Sequence, residues 1–283
     1  MCSYAFVHAL RGLAFPQDLR THAFALVHYL ALADLFNSLW PYLPQSPVAS
    51  CSLQAFVYQL FSLASILWTA AIAHTLWATV VARDEDVARF MRWYHAGVWG
   101  TSGVSAIVPL AAGRYESVGP WCWIATAPTG DKGGVAMRFA FFYVPLWLVI
   151  AFQLGVYAQV MRTLSVLSRM HAAARGESRG ARPRAWAIIR RLGYYPLILI
   201  FVYSFATVHR CINAATGRTV FWLYVLQAVF GALQGAMHAA AYGMNEDVRA
   251  HWRDSLGGLC CRRGVAHAHT RFEDEGEAGE VRR

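Results

Sequence analysis

Residues 52–81 run for thirty positions without an Asp, Glu, Lys or Arg. A helix rises 1.5 Å per residue, so about 20 residues cross a hydrocarbon core ~30 Å thick. This run is longer than a bilayer needs, and as a helix it must tilt or project. A soluble helix is rarely apolar on every face for that length, which argues against a soluble helical bundle. Five further apolar segments follow the same pattern: residues 21–42, 93–112, 135–160, 192–208 and 219–243. The expected fold class is an all-α membrane protein with six full spans in this chain. Pro109, Pro145 and Pro196 fall inside the third, fourth and fifth segments, where each removes a helical hydrogen bond and is either a kink or a tolerated proline.

Charge placement sets the expected orientation. Only 14% of residues are charged, against 57% hydrophobic. The basic residues sit mostly in connections, so the net charge of +9 reads as a membrane feature, with no nucleic-acid partner. Residues 83–92 and 162–191 together hold eleven basic residues; residues 44–50, 113–134 and 209–218 together hold four. Arginine and lysine favour the cytoplasmic side, so the first set is expected inside and the second outside. Cys51 and Cys122 then both lie outside, where oxidation is possible, and the C-terminal tail lies inside. Six cysteines in 283 residues are too few for a disulfide scaffold.

Residues 1–10 are apolar and meet Arg11. They are expected to be the last turns of a further helix, so that the complete architecture has seven spans with helix 1 largely missing. Residues 245–252 form an expected amphipathic helix along the inner leaflet, with Val248 and Trp252 on one side. Residues 253–283 are expected to be a disordered cytoplasmic tail. Within that tail, Cys260 and Cys261 stand beside Arg262 and Arg263, either as palmitoylation sites or as ordinary reduced cysteines.

Asp34 is the one carboxylate inside an apolar segment. A charge there is costly, so it must face the bundle interior and meet a partner. The expected partners are Asn37, Gln234 and His238, as a network that shifts between two packings or as a fixed helix–helix contact; the first is the expectation. His22, His28 and His74 are expected to be satisfied interior residues. Most tryptophans fall near segment ends, as an interfacial belt would, whereas Trp68 lies mid-segment and reads as core. Arg114, Lys132, His209 and Arg210, with Trp121 and Trp123, are candidates for a ligand mouth; the basic groups there are expected to be ordinary solvated loop charges rather than an anion trap. The sequence carries no phosphate-binding glycine loop and none of His-Glu-x-x-His, Cys-x-x-Cys or Gly-x-Ser-x-Gly, so neither an enzyme nor a cofactor is expected, and no metal site.

These residues resemble the cyclic-AMP-receptor-like (class E) family of seven-helix G-protein-coupled receptors. The likeness rests on Leu30 to Leu35 around Asp34, on Cys51 to Phe56 continuing to Leu67-Trp68-Thr69-Ala70, and on Gly119-Pro120-Trp121-Cys122-Trp123-Ile124. It rests also on Leu226-Gln227, Leu233-Gln234-Gly235, and Ala241-Tyr242-Gly243-Met244-Asn245 with Val248-Arg249. The resemblance implies a disulfide between Cys51 and Cys122. It implies a receptor that senses an unidentified extracellular ligand at the plasma membrane and couples to a heterotrimeric G protein, toward cyclic-AMP pathways. Arg190 and Arg191 match the family's coupling positions; Arg83 and Asn245 are further candidates for that side. A small transporter or channel is the alternative class, but no internal repeat supports it; a non-signalling membrane scaffold is another.

Overall fold

The structure is a computed structural model that describes residues 17–39, 43, 46, 48–119, 121–126, 131–175 and 194–243. The chain divides into a compact unit, Pro16–Tyr242, and a second unit made of Met1–Phe15 and Gly243–Arg283; the fold and site belong to the first. Residues 1–10, residues 245–252, the tail with Cys260 and Cys261, and Arg190, Arg191 and Asn245 lie outside the described residues.

Helix α1 is Gln17–Leu39 and α2 is Val48–Val80. A short 3-10 turn, Val87–Phe90, leads into α3, Met91–Ala111. Strands β1, Tyr115–Ser117, and β2, Cys122–Ile124, pair antiparallel with Glu116 opposite Trp123. Helix α4, Lys132–Arg138, runs through a π turn, Phe139–Tyr143, into α5, Val144–Arg175. Helices α6, Tyr194–Thr216, and α7, Phe221–Gly243, complete the described chain.

Helix α2 is the spine. Ser62, Leu63, Ala64, Ser65 and Ile66 are all fully buried, and five consecutive buried residues in a helix mean that every face is covered. It packs against α1, α3, α5 and both strands. Trp68 is buried and stacks on Tyr29 of α1, the core role its sequence position suggests. Away from the spine the polarity reverses. Phe36, Val104, Leu148, Phe201 and Trp222 stand exposed on outward faces, as suits helices whose solvent is lipid. Among the described residues, three stretches, Ser50–Val80, Lys132–Leu167 and Pro196–Thr216, are long and apolar enough to cross a bilayer. Helices α1, α3 and α7 carry Asp34, Asn37, Ser102, Ser105, Gln227, Gln234 and His238 on buried faces, which dilutes their hydropathy without making their outer faces polar.

Several sequence expectations shift. Residues 209–218 were expected as an outer loop, but α6 continues to Thr216, so His209 and Arg210 are buried helical residues. Charge marks a loop only when it is solvated, and Arg210 instead lies over the Trp123 ring at 5.2 Å. Helix α5 runs on to Arg175, carrying Arg162 and Arg169 in a segment read as a loop; Arg, Leu, Met and Ala are all good helix formers. The connection 113–134 contains a hairpin. His28 is exposed, not interior, while His22 is buried and His74 Nδ1 pairs with the Tyr94 hydroxyl at 2.7 Å. Pro196 is only the third residue of α6, so no kink arises from it within the described helix.

Pro145 does shape its helix. It brings no N–H for the carbonyl of Phe141, four residues earlier, and it follows directly on the π turn. The side chain of Gln59 on α2 takes up that carbonyl, its Nε2 donating at 3.1 Å. A polar residue in an apolar run is thus explained by a proline eighty-six positions later in the chain.

Candidate functional site

The hairpin closes one end of the bundle, and several contacts hold it there. The Cys51–Cys122 disulfide joins the first turn of α2 to β2, with Cα atoms 5.4 Å apart and a sequence separation of 71. On chain-entropy grounds a crosslink of that span contributes about 4 kcal/mol. Gln54, one turn after Cys51, accepts from the Cys122 N–H at 2.7 Å. Arg138 Nε donates to the Ile124 carbonyl at 2.6 Å. Trp121 stacks flat on Tyr224 of α7, centroids 4.5 Å apart, and the Tyr224 hydroxyl donates to the Val118 carbonyl at 3.2 Å. The base of the hairpin is tied by an ion pair between Arg114 and Asp131. Asp131 also caps α4, accepting from the N–H groups of Gly133 and Gly134.

Below the hairpin lies a small cavity with about 30 Å³ of free space, lined by Tyr58, Trp121, Phe142, Tyr143, Tyr203 and Gln227, with Asn37, Ser62 and Gln234 at its polar end. Its walls come from α1, α2, α6, α7, the π turn of the α4–α5 rod, and the hairpin.

The polar end continues into a buried network. Ser65 donates to Asp34 Oδ1 at 2.6 Å, and His238 Nδ1 lies 2.9 Å from Asp34 Oδ2. Gln234 Nε2 donates to Ser65 Oγ at 3.2 Å, and the Tyr203 hydroxyl donates to Gln234 Oε1 at 2.8 Å. Asn37 Oδ1 accepts from Ser62 at 2.5 Å. Helical spacing explains the convergence: Asp34 and Asn37, Ser62 and Ser65, and Gln234 and His238 each stand three or four residues apart, on one face of their helix. Gly235 lets α7 come close, since a Cβ there would sit 3.2 Å from Asp34 Cβ.

The structure therefore brings together Asp34, Asn37, Gln234 and His238, although Asn37 bonds Ser62 rather than Asp34. It does not group the ligand-mouth candidates in one solvated rim. Arg114 is ion-paired at the hairpin base and Lys132 is exposed. Trp121 lines the cavity, whereas Trp123 is wholly buried with Arg138 and Arg210 against its ring. Arg83 is exposed in the turn after α2, with φ of 55°. Gln59, Ser62, Ser65, Arg138 and Tyr203 are additions that only the structure supplies. For Arg138 the available signal is a cation inside the apolar segment 135–160; for the two serines it is their i, i+3 spacing. Among the described residues no cluster of His, Cys, Asp and Glu could hold a metal ion.

Residues 28–255 match the family model described as slime mold cyclic AMP receptor. The chain is 38% identical over 236 residues to G-protein coupled receptor 1 of Arabidopsis thaliana, covering 82% of this chain and 71% of that protein. It is 28% identical over 177 residues to cyclic AMP receptor 4 of Dictyostelium discoideum, covering 60% of this chain and 37% of that receptor. In fold it is similar to squid rhodopsin, with a TM-score of 0.62 at 19% identity over 92% of this chain and 84% of the other. The chain belongs to the slime mold cyclic AMP receptor family of G-protein-coupled receptors, multi-span proteins of the membrane.

Proposed function

We propose that the chain binds an extracellular ligand in the cavity beneath the hairpin and signals through a heterotrimeric G protein, toward cyclic-AMP pathways. The observation that carries this reading is continuity: Tyr203 and Gln234 line the cavity and are hydrogen-bonded through Ser65 to Asp34, with the Asn37–Ser62 pair lining it beside them. A ligand that changes the packing at one end changes the partners of Asp34 at the other. Such a ligand shifts the receptor between two states only by binding one of them more tightly. In this reading the receptor sits in the plasma membrane with the hairpin outside and the C-terminus inside. Arg114 and Lys132 stand on the outer side. Arg83, Arg190, Arg191 and Asn245 serve the G-protein side, and Cys260 and Cys261 are sites for lipid attachment.

The test is nucleotide exchange on a purified heterotrimeric G protein by the full chain in lipid nanodiscs. Cyclic AMP, named in the Dictyostelium relatives, is the first ligand to try, followed by a panel of small extracellular metabolites. Ligand-dependent exchange is expected, and Asp34→Asn should change the ratio of stimulated to basal exchange by at least about fivefold. Folded receptor that supports solute flux but no exchange with any ligand would overturn the reading.

A further inference from the structure

Two arginines are buried together under the hairpin. Arg138 at the end of α4 is 3% exposed and Arg210 in α6 is 5% exposed. Both guanidinium groups lie against the same indole, at 5.1 Å and 5.2 Å from the Trp123 centroid. Arg138 spends Nε on the Ile124 carbonyl, and Arg210 faces the Tyr143 hydroxyl. Nε and Nη2 of Arg210 have no hydrogen-bond partner among the described residues.

Among the described residues, no carboxylate forms an ion pair with either arginine. Of the acidic residues near that end of the bundle, Asp131 is engaged by Arg114, and Glu116 is exposed on the hairpin with no ion pair among the described residues. Asp34 is taken by His238 and Ser65. Burying one unpaired cation is costly, and burying two side by side adds their repulsion. A shared cation–π contact returns only part of that cost. Neither arginine lines the cavity assigned above to the ligand, and both need compensation whether or not a ligand is present.

We infer that Arg138 and Arg210 form a binding site for a small inorganic anion, held under the hairpin beside Trp123 and separate from the ligand cavity. The planar donors of the two guanidinium groups suit a halide or a compact oxyanion. The anion offsets part of the pair's charge and locks the strand β2 side of the hairpin to α6, so anion binding stabilises the closed outer end.

The test uses the full chain in lipid nanodiscs and reads thermal unfolding while chloride or inorganic phosphate replaces gluconate at constant ionic strength. A saturable rise in unfolding temperature is expected. Arg210→Gln and Arg138→Gln should each weaken the apparent anion affinity at least tenfold. If Arg138→Gln fails to fold because it loses the Ile124 contact, Arg210→Met keeps the test open. That variant should match the wild type in gluconate and lose the anion response. An unsaturable response, or one unchanged in the Arg210 variants, overturns the site. So does a response to a phosphomonoester alone, which would assign the arginines to an organic ligand. G-protein exchange is not used, so failure of the receptor reading and failure of the anion site are told apart.

Discussion

Trp123 Nε1 donates to Gln59 Oε1 at 2.7 Å, and both side chains are wholly buried. The same amide's Nε2 donates to the Phe141 carbonyl that Pro145 leaves without an α-helical donor, and also reaches Ser105 Oγ at 3.3 Å. One side chain on the spine therefore joins the hairpin, the proline-bearing rod and α3. Replacing Gln59 with Leu leaves a buried indole N–H and a buried carbonyl unpaired, at about 1–3 kcal/mol each. Gln59→Leu should lower the unfolding temperature by several degrees in detergent, with Gln59→Glu intermediate. An unchanged transition would mean that the amide is not structural.

Asp34 and His238 meet across α1 and α7 at a sequence separation of 204. Groups in one hydrogen-bonded network couple by about 0.5–3 kcal/mol in a double-mutant cycle. Asp34→Asn, His238→Gln and the double variant should give a coupling in that range, read by thermal unfolding. Additive effects would separate the two residues energetically despite their contact.

Gly134 in the first turn of α4 faces the hairpin's return strand. A Cβ at that position would lie 2.1 Å from the Ala125 carbonyl oxygen, closer than any side chain tolerates. Gly134→Ala should therefore displace the hairpin or α4 at a cost of about 3 kcal/mol or more. Gly97 and Gly100 on α3 are the contrast, since a Cβ there meets nothing within 4 Å. Gly100→Ala should stabilise the helix by roughly 0.5–1 kcal/mol. Parallel expression and unfolding measurements check the opposite signs.

Asp131 ties the cap of α4 to Arg114, outside the membrane-spanning segments. The Gly133 N–H has the largest effect on its carboxyl and outweighs desolvation, which acts the other way; with the Arg114 charge and the Gly134 N–H it holds the group below its ordinary value of 3.8. A carboxyl depressed in the folded state stabilises above its unfolded value and loses that contribution as pH falls through the folded value. The hairpin base should thus be pH-insensitive above pH 3.8 and loosen below it, read as faster exchange of the Gly133 and Gly134 amides. Asp131→Asn should remove the pH step and keep part of the cap.

The apolar runs and the loop charges determine, without coordinates, that this is a multi-span helical membrane protein. Hydropathy is a local sum, and about 20 residues are enough to evaluate it. Asp34 is legible as an interior group for the same reason: one carboxylate in lipid has no other place to go. The extent of α6 and the burial of Arg210 are not legible, because a cation in a sequence looks the same whether water or an indole ring solvates it. Gln59, Ser62, Ser65 and Tyr203 are ordinary polar residues in apolar runs until α2 stands against α1, the α4–α5 rod, α3, α7 and the hairpin. What only the tertiary structure decided is which polar groups pair, since each partner lies tens to hundreds of residues away and is chosen by helix packing, not by neighbours in the chain.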